Sequence, residues 1–266
     1  MTSSAISVGL KLGVVGKGGA GKTTVSGLLA RTYSERGSRV VAIDTDSNPN
    51  LGLSLGLSLS DTEAVPVLPR SALVGSGGGP SADALIGEYG RPTPAGPTLL
   101  SAIRVAEAGA GCTCSGHATV RSLLADALAD VDVTLVDMEA GLEHLSRSGG
   151  TLAYADALLV VCEPTRKSIL TASRTAALAA ELGIPHVLAL GNKARTREDV
   201  DFFATALEAA GIELAGVLAY DDQVANDDRS DNAGLSSVSA ETRTVLDGVL
   251  AAIDRRVAPT RQSPTP

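Results

Sequence analysis

The stretch "GKGGAGKTT", residues 16–24, decides how this sequence folds, because it matches the pattern G-x-x-x-x-G-K-[ST]. The apolar run "LKLGVVG" leads into it, and the helical pattern "KTTVSGLLARTYSERG" follows and ends at Gly37. Glycines allow successive backbone N–H groups to surround an anion, and a helix that begins at the loop adds the positive end of its dipole. This strand–loop–helix context predicts a loop that binds the phosphates of ATP or GTP.

The roles of the loop residues follow from phosphate chemistry. Lys22 is expected to bridge the β- and γ-phosphates, and Thr23 is expected to place its hydroxyl on Mg²⁺. The alternative is a glycine-rich turn that carries a lysine by coincidence, and it does not account for the flanking strand and helix. The predicted nucleotide-binding residues of the loop are Gly18, Gly19, Ala20, Gly21, Lys22, Thr23 and Thr24.

Strand and helix patterns alternate along the chain on both sides of this loop. Predicted strands lie in "SRVVAID", "VDVTLVDM", "DALLVVCEPT", "HVLALGNK" and "IELAGVLAY". Predicted helices lie in "ATVRSLLADALA", "KSILTASRTAALAAELG", "REDVDFFATALEAAG" and residues 241–255. Such alternation predicts an α/β fold with a single doubly wound, mostly parallel sheet and helices on both faces, as in P-loop NTPases.

The domain organisation is expected to be simple. We predict one ATPase domain over residues 1–256, with a C-x-C segment at 111–116 that can bind metal. Residues from about 61 to 97 are rich in Gly, Pro and Ser, and this composition predicts a long mobile insertion. A Pro-rich, disordered tail is predicted for residues 257–266.

Composition narrows the class of partner. The net charge of −8 argues against non-specific binding to nucleic acid or to anionic lipid. No run of about 18 apolar residues and no export signal is present, so we expect a cytoplasmic protein without a membrane partner. Three cysteines, of which two are one residue apart, do not form a disulfide framework, and in a reducing cytosol they are typical of metal ligands or core residues.

Acidic residues follow two of the predicted strands. Asp44 is the last residue of "VVAID", and Asp46 follows two residues later. Asp137 is the last residue of "VTLVD". Open α/β sheets bind ligands at the carboxyl ends of their strands, where such acids can hold Mg²⁺ and orient a water molecule. One such aspartate alone could cap a helix or a turn, but three beside a phosphate loop favour the catalytic interpretation. The segments after Asp46 and Asp137, including "MEAGLEHLSR", are therefore candidate switches.

Residues after two later strands are predicted to bind the base. Asn192, in "GNKAR", can present its amide edge to a purine, and Lys193 follows it. Asp221, in "AYDDQVANDDR", is expected to lie in a segment that folds over the base. Residue 195 is arginine, whereas the guanine-reading pattern N-K-x-D would place an aspartate there, so ATP is favoured over GTP.

The loop "KGGAGKT" resembles the deviant phosphate loop of the MinD/ParA/nitrogenase-iron-protein superfamily. In that family the lysine that matches Lys17 reaches across a dimer to the partner's nucleotide. The resemblance also implies that Asn192 reads adenine, that Asp46 assists the attacking water, and that Asp44 and Asp137 belong to the shell of the metal. Lys17, Lys22 and Asp46 are thus the expected catalytic residues, while a solvated lysine is the alternative for Lys17.

The motif "GCTC", residues 111–114, extends this resemblance. Together with "GAGCTCSGHATVRSLL", "DMEAGLEHLSR" and "DTDSNPNLGLSLG", it resembles the CooC-type ATPases that insert nickel into carbon monoxide dehydrogenase. The resemblance implies an ATP-dependent homodimer that holds Ni²⁺ or Zn²⁺ through Cys112 and Cys114 and serves a client metalloenzyme such as that dehydrogenase. Ser115 and Gly116 depart from the Pro-Glu that often follows the second cysteine, which weakens the assignment to nickel.

Two other functions fit part of the pattern. A reductase of the nitrogenase-iron-protein kind would hold a [4Fe–4S] cluster, but its cysteines come from separated segments. A positioning ATPase of the ParA/MinD class would need a basic patch or an amphipathic terminal helix, which we do not find. Unliganded thiols or a vicinal disulfide remain open for "GCTC". Cys162 is expected to be a buried core residue and His117 to lie at the surface or at a helix start.

Overall fold

The phosphate-loop strand lies near the centre of an eight-stranded sheet in a computed structural model of the chain. The structure describes residues 9–69, 72, 81–104, 114–128, 131–141, 150–227 and 238–261. Its strands are β1 (Leu10–Gly16), β2 (Val40–Asp44), β3 (Arg91–Pro92), β4 (Thr98–Ser101), β5 (Val133–Asp137), β6 (Ala157–Cys162), β7 (His186–Ala194) and β8 (Glu213–Ala219). The order across the sheet is β3-β4-β2-β5-β1-β6-β7-β8.

Helices connect these strands. They are α1 (Lys22–Glu35), α2 (Leu51–Ser54), α3 (Leu59–Glu63), α4 (Ala82–Tyr89), α5 (Cys114–Ser122), α6 (Arg166–Glu181), α7 (Arg197–Ala209), α8 (Asp222–Asp227) and α9 (Ala240–Arg261). A π-helical turn, Leu123–Ala127, continues α5. Of these described helices, none combines the length and the apolar character needed to cross a bilayer.

The sheet is parallel except for the antiparallel pair β3–β4. Side chains alternate between its faces, so a strand covered on both sides must be apolar throughout. In β6 all six residues are buried, with Leu159 packing among residues of α1 and α9 and Val160 among residues of α6 and α7. The predicted doubly wound α/β fold is therefore confirmed.

The stretch from 61 to 97 is more regular than its composition indicates. Its described residues contain the end of α3, all of α4 and strand β3, and β4 follows directly. Ser58 and Ser81 cap α3 and α4, because their hydroxyls accept hydrogen bonds from the backbone three residues ahead. Leu68 and Leu85 are each 2% exposed. Apolar side chains of this stretch therefore pack into the core, and its mobility stays a prediction.

The chain end also differs from the prediction. Helix α9 begins at Ala240 and continues to Arg261, beyond the predicted domain end at residue 256. Disorder of the tail stays a prediction. Leu246, Leu250, Ile253 and Val257 recur at helical spacing and are buried together against α1 and the sheet. The apolar stripe thus extends to Val257, two residues beyond residue 255, where the sequence alone indicated an end.

The packing of this last turn can be tested by substitution. Val257 is 1% exposed, so Val257→Ala should lower the free energy of unfolding by about 1–3 kcal/mol through lost burial and an imperfectly filled space. Arg255→Ala, on the exposed side of the same turn, should change it by less than about 0.5 kcal/mol. Urea unfolding of both variants measures the difference, and equal effects would show that α9 does not pack through Val257.

Candidate nucleotide-binding site

The phosphate loop connects β1 to α1, and glycine is required where it meets a neighbouring strand. Gly21 precedes the helix with φ 94°, in the left-handed region that favours glycine. A Cβ at this position would lie 2.5 Å from Nδ2 of Asn192. The same Nδ2 donates a hydrogen bond to the carbonyl oxygen of Ala20 at 2.8 Å. The phosphate loop is therefore packed against the end of β7 and hydrogen-bonded to it.

Lys22 is held inside this loop. Its side chain is largely buried, and Nζ donates to the carbonyl oxygen of Lys17 at 3.4 Å. Burial lowers the pKa of Lys22, while the nearby charges of Asp137, Asp46 and Glu139 oppose that shift. The amine is thus a cation held among three acids at the mouth of the loop, which suits it to bind an anion.

The two strand-end acids lie side by side. Asp44 of β2 and Asp137 of β5 are directly paired in the parallel ladder and are 1% and 2% exposed. Burial raises the pKa of Asp44 to about 6, and the charge of Asp46 adds to this shift. Burial, followed by the charge of Asp44, raises the pKa of Asp137 to about 7. Two buried carboxylates in this position disfavour joint ionisation unless a cation compensates them.

Hydrogen bonds fix both acids. Oδ1 of Asp137 accepts from Oγ of Ser26 at 2.8 Å, and the hydroxyl of Thr23 donates to the same carboxylate. Asp44 accepts from the backbone N–H groups of Asp46 at 3.0 Å and Leu51 at 2.9 Å. Carboxylate and hydroxyl oxygens are the protein ligands that Mg²⁺ prefers, and the uncompensated acids favour a divalent cation. The residues predicted to surround Mg²⁺, Thr23, Asp44 and Asp137, therefore come together and fit that ion.

Asp46 lies at the start of the first candidate switch. It is half-buried, and its Oδ1 accepts from the backbone N–H of Asn48 at 2.9 Å. The next residue, Ser47, donates from Oγ to Oε1 of Glu139 at 3.2 Å. Glu139 belongs to the second candidate switch, which is described as far as Gly141. The segments after β2 and β5 are therefore in direct contact beside the loop.

A cavity of about 330 Å³ adjoins the phosphate loop on the side of α1 and β8. Its apolar walls come from α1 and the end of β8, and its polar groups include Asn192 and Asp221. The guanidinium of Arg195 lies 3.7 Å from the centre of the Tyr220 ring at one edge of this region. Its size and mixed lining suit a purine. The lining residues are Gly21, Thr24, Val25, Leu28, Asn192, Lys193, Leu218, Ala219, Tyr220, Asp221, Val224 and Thr242.

The cysteine motif is described in part. Cys112 lies outside the described residues, and Cys114 begins α5 without a described side chain. His117 is in the first turn of α5, which agrees with the helix-start alternative of the prediction, and it is 4% exposed. It faces inward with Val120 and Leu124 at helical spacing. Glu143 and His144, of the second switch, also lie outside the described residues.

The third cysteine has the expected position. Cys162 is the last residue of β6 and is fully buried in the core on the α6–α7 side of the sheet. Burial raises the pKa of its thiol to about 11, so the thiol stays protonated at neutral pH. Among the described residues no cluster of three or more His, Cys, Asp or Glu side chains forms a metal site.

Sequence reasoning missed three polar residues of the site. Ser26 lies one helical turn after Lys22 on the same face of α1, a spacing that the sequence does display. Thr45 donates from Oγ1 to the carbonyl oxygen of Asp137 at 2.7 Å and joins the two acid-bearing strands. Glu163 follows β6 and contacts Lys193, and the rule of polar residues at strand ends would have indicated it.

A phosphate loop at the end of a central parallel strand, with two acids at adjoining strand ends, defines a P-loop nucleotide-binding protein. The model of the CobQ/CobB/MinD/ParA nucleotide binding domain matches residues 14–233. The chain therefore belongs to this family, and the resemblance to the MinD/ParA superfamily is confirmed.

Individual relatives agree with this assignment. The carbon monoxide dehydrogenase accessory protein CooC of Rhodospirillum rubrum is 35% identical in an alignment 269 positions long, which covers 95% of this chain and 99% of that protein. An uncharacterized ATP-binding protein of Methanocaldococcus jannaschii is 34% identical, with 81% and 87% covered. The MinD protein of Pyrococcus horikoshii, complexed with Mg-ADP, shares the fold with a TM-score of 0.63 at 17% identity, covering 92% and 95%. The resemblance to CooC-type ATPases is thereby confirmed.

The raised pKa of Asp137 predicts a pH-dependent stability of the metal-free protein. The pKa of Asp137 is about 7 in the folded state and about 3.9 in the unfolded state, so its protonation favours the folded state. This contribution to the free energy of unfolding is fully present below the unfolded-state pKa. It is lost as the pH rises from about 4 to about 7. Asp137→Asn should reduce this loss, because it removes one of the titrating groups. Urea unfolding without Mg²⁺ and nucleotide at several pH values checks this.

The exposed Asp201, in α7, provides the control for that experiment. Asp201→Asn should follow the wild-type dependence on pH. An Asp137→Asn profile that parallels the wild type throughout this range would contradict the raised pKa.

Proposed function

We propose that this chain is an ATP-hydrolysing, nucleotide-switched metallochaperone that works as a homodimer. It binds Ni²⁺ or Zn²⁺ as cargo through Cys112 and Cys114 and assists insertion of the metal, nickel in our proposal, into a client such as carbon monoxide dehydrogenase. The observation that carries the hydrolytic part is the pairing of Asp44 with Asp137 beside Lys22. The end-to-end likeness to CooC supports the client class.

The chain's own residues account for phosphate binding and for the arrangement of charge. Lys22 supplies the positive charge for the β- and γ-phosphates, and the N–H groups at the start of α1 supply further donors. Thr23, Asp44 and Asp137 would hold Mg²⁺, which would supply positive charge to the phosphate oxygens. Asn192 and Asp221 line the cavity assigned to adenine.

Asp46 is proposed to hold and orient the attacking water. Its carboxylate is half-buried near Lys22 and lies at the edge of the site, in the segment that contacts Glu139 through Ser47. Phosphoryl transfer depends mainly on positioned charge and water, so a change at Asp46 alters the reaction more than binding. The contact between the two segments allows both to respond together to the terminal phosphate.

Dimerisation is assigned to Lys17. Its Nζ donates to the neighbouring Gly18 carbonyl oxygen at 3.4 Å, at the exposed edge of the loop. From there the side chain can extend toward the phosphates of a second copy, as in the superfamily that the loop resembles. Binding of ATP biases assembly because this contact exists only in the dimer.

The thiol part of the proposal depends on symmetry. Two cysteines one residue apart supply two thiolates, half of a four-coordinate site for Zn²⁺ or Ni²⁺. A two-fold dimer, in which the same segment meets its copy, supplies the other two. Hydrolysis then loosens the interface and releases the metal to the client. Nucleotide state and metal retention are linked through the dimer.

Substitutions at Lys22 and Asp46 should separate binding from hydrolysis. Lys22→Ala should weaken ATP binding by about 10- to 100-fold, because it removes charge-assisted hydrogen bonds to phosphate. Asp46→Asn should keep ATP affinity within about threefold and slow hydrolysis by about 100-fold or more. Calorimetric titration and single-turnover assays measure the two effects. Equal losses of affinity in both variants would contradict the division of roles.

Metal stoichiometry tests the shared thiol site. Under reducing, anaerobic conditions with ATP, the wild type should bind one Ni²⁺ per two chains, and a Cys112→Ala, Cys114→Ala variant should lose that binding. Cys162→Ala, which removes the buried thiol, is the matched control and should retain it. One metal per chain, or undiminished binding by the double variant, would contradict a metal site shared between two chains. A brown protein with broad absorbance near ~400 nm would indicate the iron–sulfur alternative.

A further inference from the structure

The end of strand β7 contacts the phosphate loop through two consecutive side chains. Asn192 donates from Nδ2 to the carbonyl oxygen of Ala20 at 2.8 Å, and Lys193 donates from Nζ to that of Gly19 at 2.5 Å. Consecutive side chains of a regular strand point to opposite faces, so a regular β7 could not direct both to one loop. The backbone must deviate here.

The deviation is visible at Lys193. Its φ is 62°, in the left-handed region that a lysine rarely adopts, and Lys193 is the one such non-glycine residue in the described part of the chain. The pairing of β7 with β8 shifts register between Gly191 and Ala194, which marks a bulge at Asn192 and Lys193. A strained residue in a bulge beside the site indicates a constraint imposed by function.

Glu163 holds the other side of the lysine. It follows β6, the neighbouring strand, and its Oε1 accepts from Nζ of Lys193 at 3.2 Å. Its backbone N–H donates to Oγ of Ser168 at 3.0 Å, and Ser168 is buried in the first turn of α6. Glu163 is therefore fixed by α6, and Lys193 connects it to the phosphate loop.

We propose that Glu163 is a positioning residue for nucleotide binding, which acts through Lys193 on the Gly19 peptide of the phosphate loop. This inference rests on the proposed nucleotide site and adds a residue to it. Pinning the outward carbonyl oxygens of Gly19 and Ala20 restricts the loop, whose N–H groups must face the phosphates. Because these contacts already order the loop in the free protein, binding costs less conformational entropy. The contact therefore raises the affinity for ligands that carry phosphate.

The position of Glu163 also determines for which ligands the binding affinity depends on this residue. Asn192 and Lys193 both line the cavity assigned to the base, whereas Glu163 is not among its lining residues and contacts the Lys193 amine, which reaches the loop at Gly19. Loss of Glu163 should therefore disturb the part of the site that holds phosphates and leave the base cavity in place. ADP and adenosine differ by the phosphates alone and serve as the probes.

The experiment measures ADP and adenosine affinity for the full-length chain and four variants. Glu163→Gln should weaken ADP binding by about two- to fivefold, the range for a partly exposed ion pair, and leave adenosine affinity unchanged. Lys193→Ala should weaken ADP binding by at least as much. The double variant should bind ADP no more weakly than Lys193→Ala, because Glu163 acts through that lysine. The melting temperature of Glu163→Gln should stay at the wild-type value.

Glu181→Gln, at the exposed end of α6 away from the loop, is the control for removal of one negative charge and should bind both ligands as the wild type does. Equal weakening of ADP and adenosine by Glu163→Gln, or additive losses in the double variant, would overturn the positioning role. A wild-type chain that binds neither ADP nor ATP would instead overturn the nucleotide site itself.

Discussion

Asp44 and Asp137 are two buried carboxylates at the same level of adjacent strands, and their burial constrains everything around them. Donors from several elements converge on them: the hydroxyls of Thr23 and Ser26 from α1, and backbone N–H groups after β2. These bonds fix the start of α1 relative to the sheet, and the phosphate loop precedes that start. A cation adjacent to this pair is stabilised by charge that the fold has already concentrated there.

The parallel ladder explains how distant segments reach one site. Strand ends from β1, β2, β5, β6 and β7 meet at one edge of the sheet, because parallel strands share a direction. Thr45 donates a hydrogen bond to the carbonyl oxygen of Asp137, and Ser47 donates one to Glu139, so the segments after β2 and β5 are in direct contact. On the other side of β1, Glu163 and Lys193 connect β6 and β7 to the loop. The loop is thus held from both flanks.

The strand that leads to the cysteine motif is part of the same edge. Ser101 of β4 is the ladder partner of Asp44, and the N–H of Ala102 donates to the Asp44 carbonyl oxygen at 3.0 Å. Two residues later, the guanidinium of Arg104 donates to the carbonyl oxygens of Thr62 and Glu63 at the end of α3. Cys112 follows eight residues after Arg104 in the sequence. The last described residues before the segment proposed to hold the metal therefore lie beside Asp44, an acid proposed to hold Mg²⁺.

The sequence by itself determined the fold class and most of the nucleotide site, because local patterns encode them. The loop motif, the apolar strands and the acids at strand ends are each short-range signals, and the structure brings together Lys22, Asp44 and Asp137 as they predicted. Tertiary structure decided what depends on contacts between distant residues. Leu68, Leu85 and Val257 are buried in stretches whose composition indicated no packing, since packing outweighs local propensity. The bulge at Lys193 and its contact with Glu163 required β6, β7 and the loop to meet, and no local pattern records that meeting.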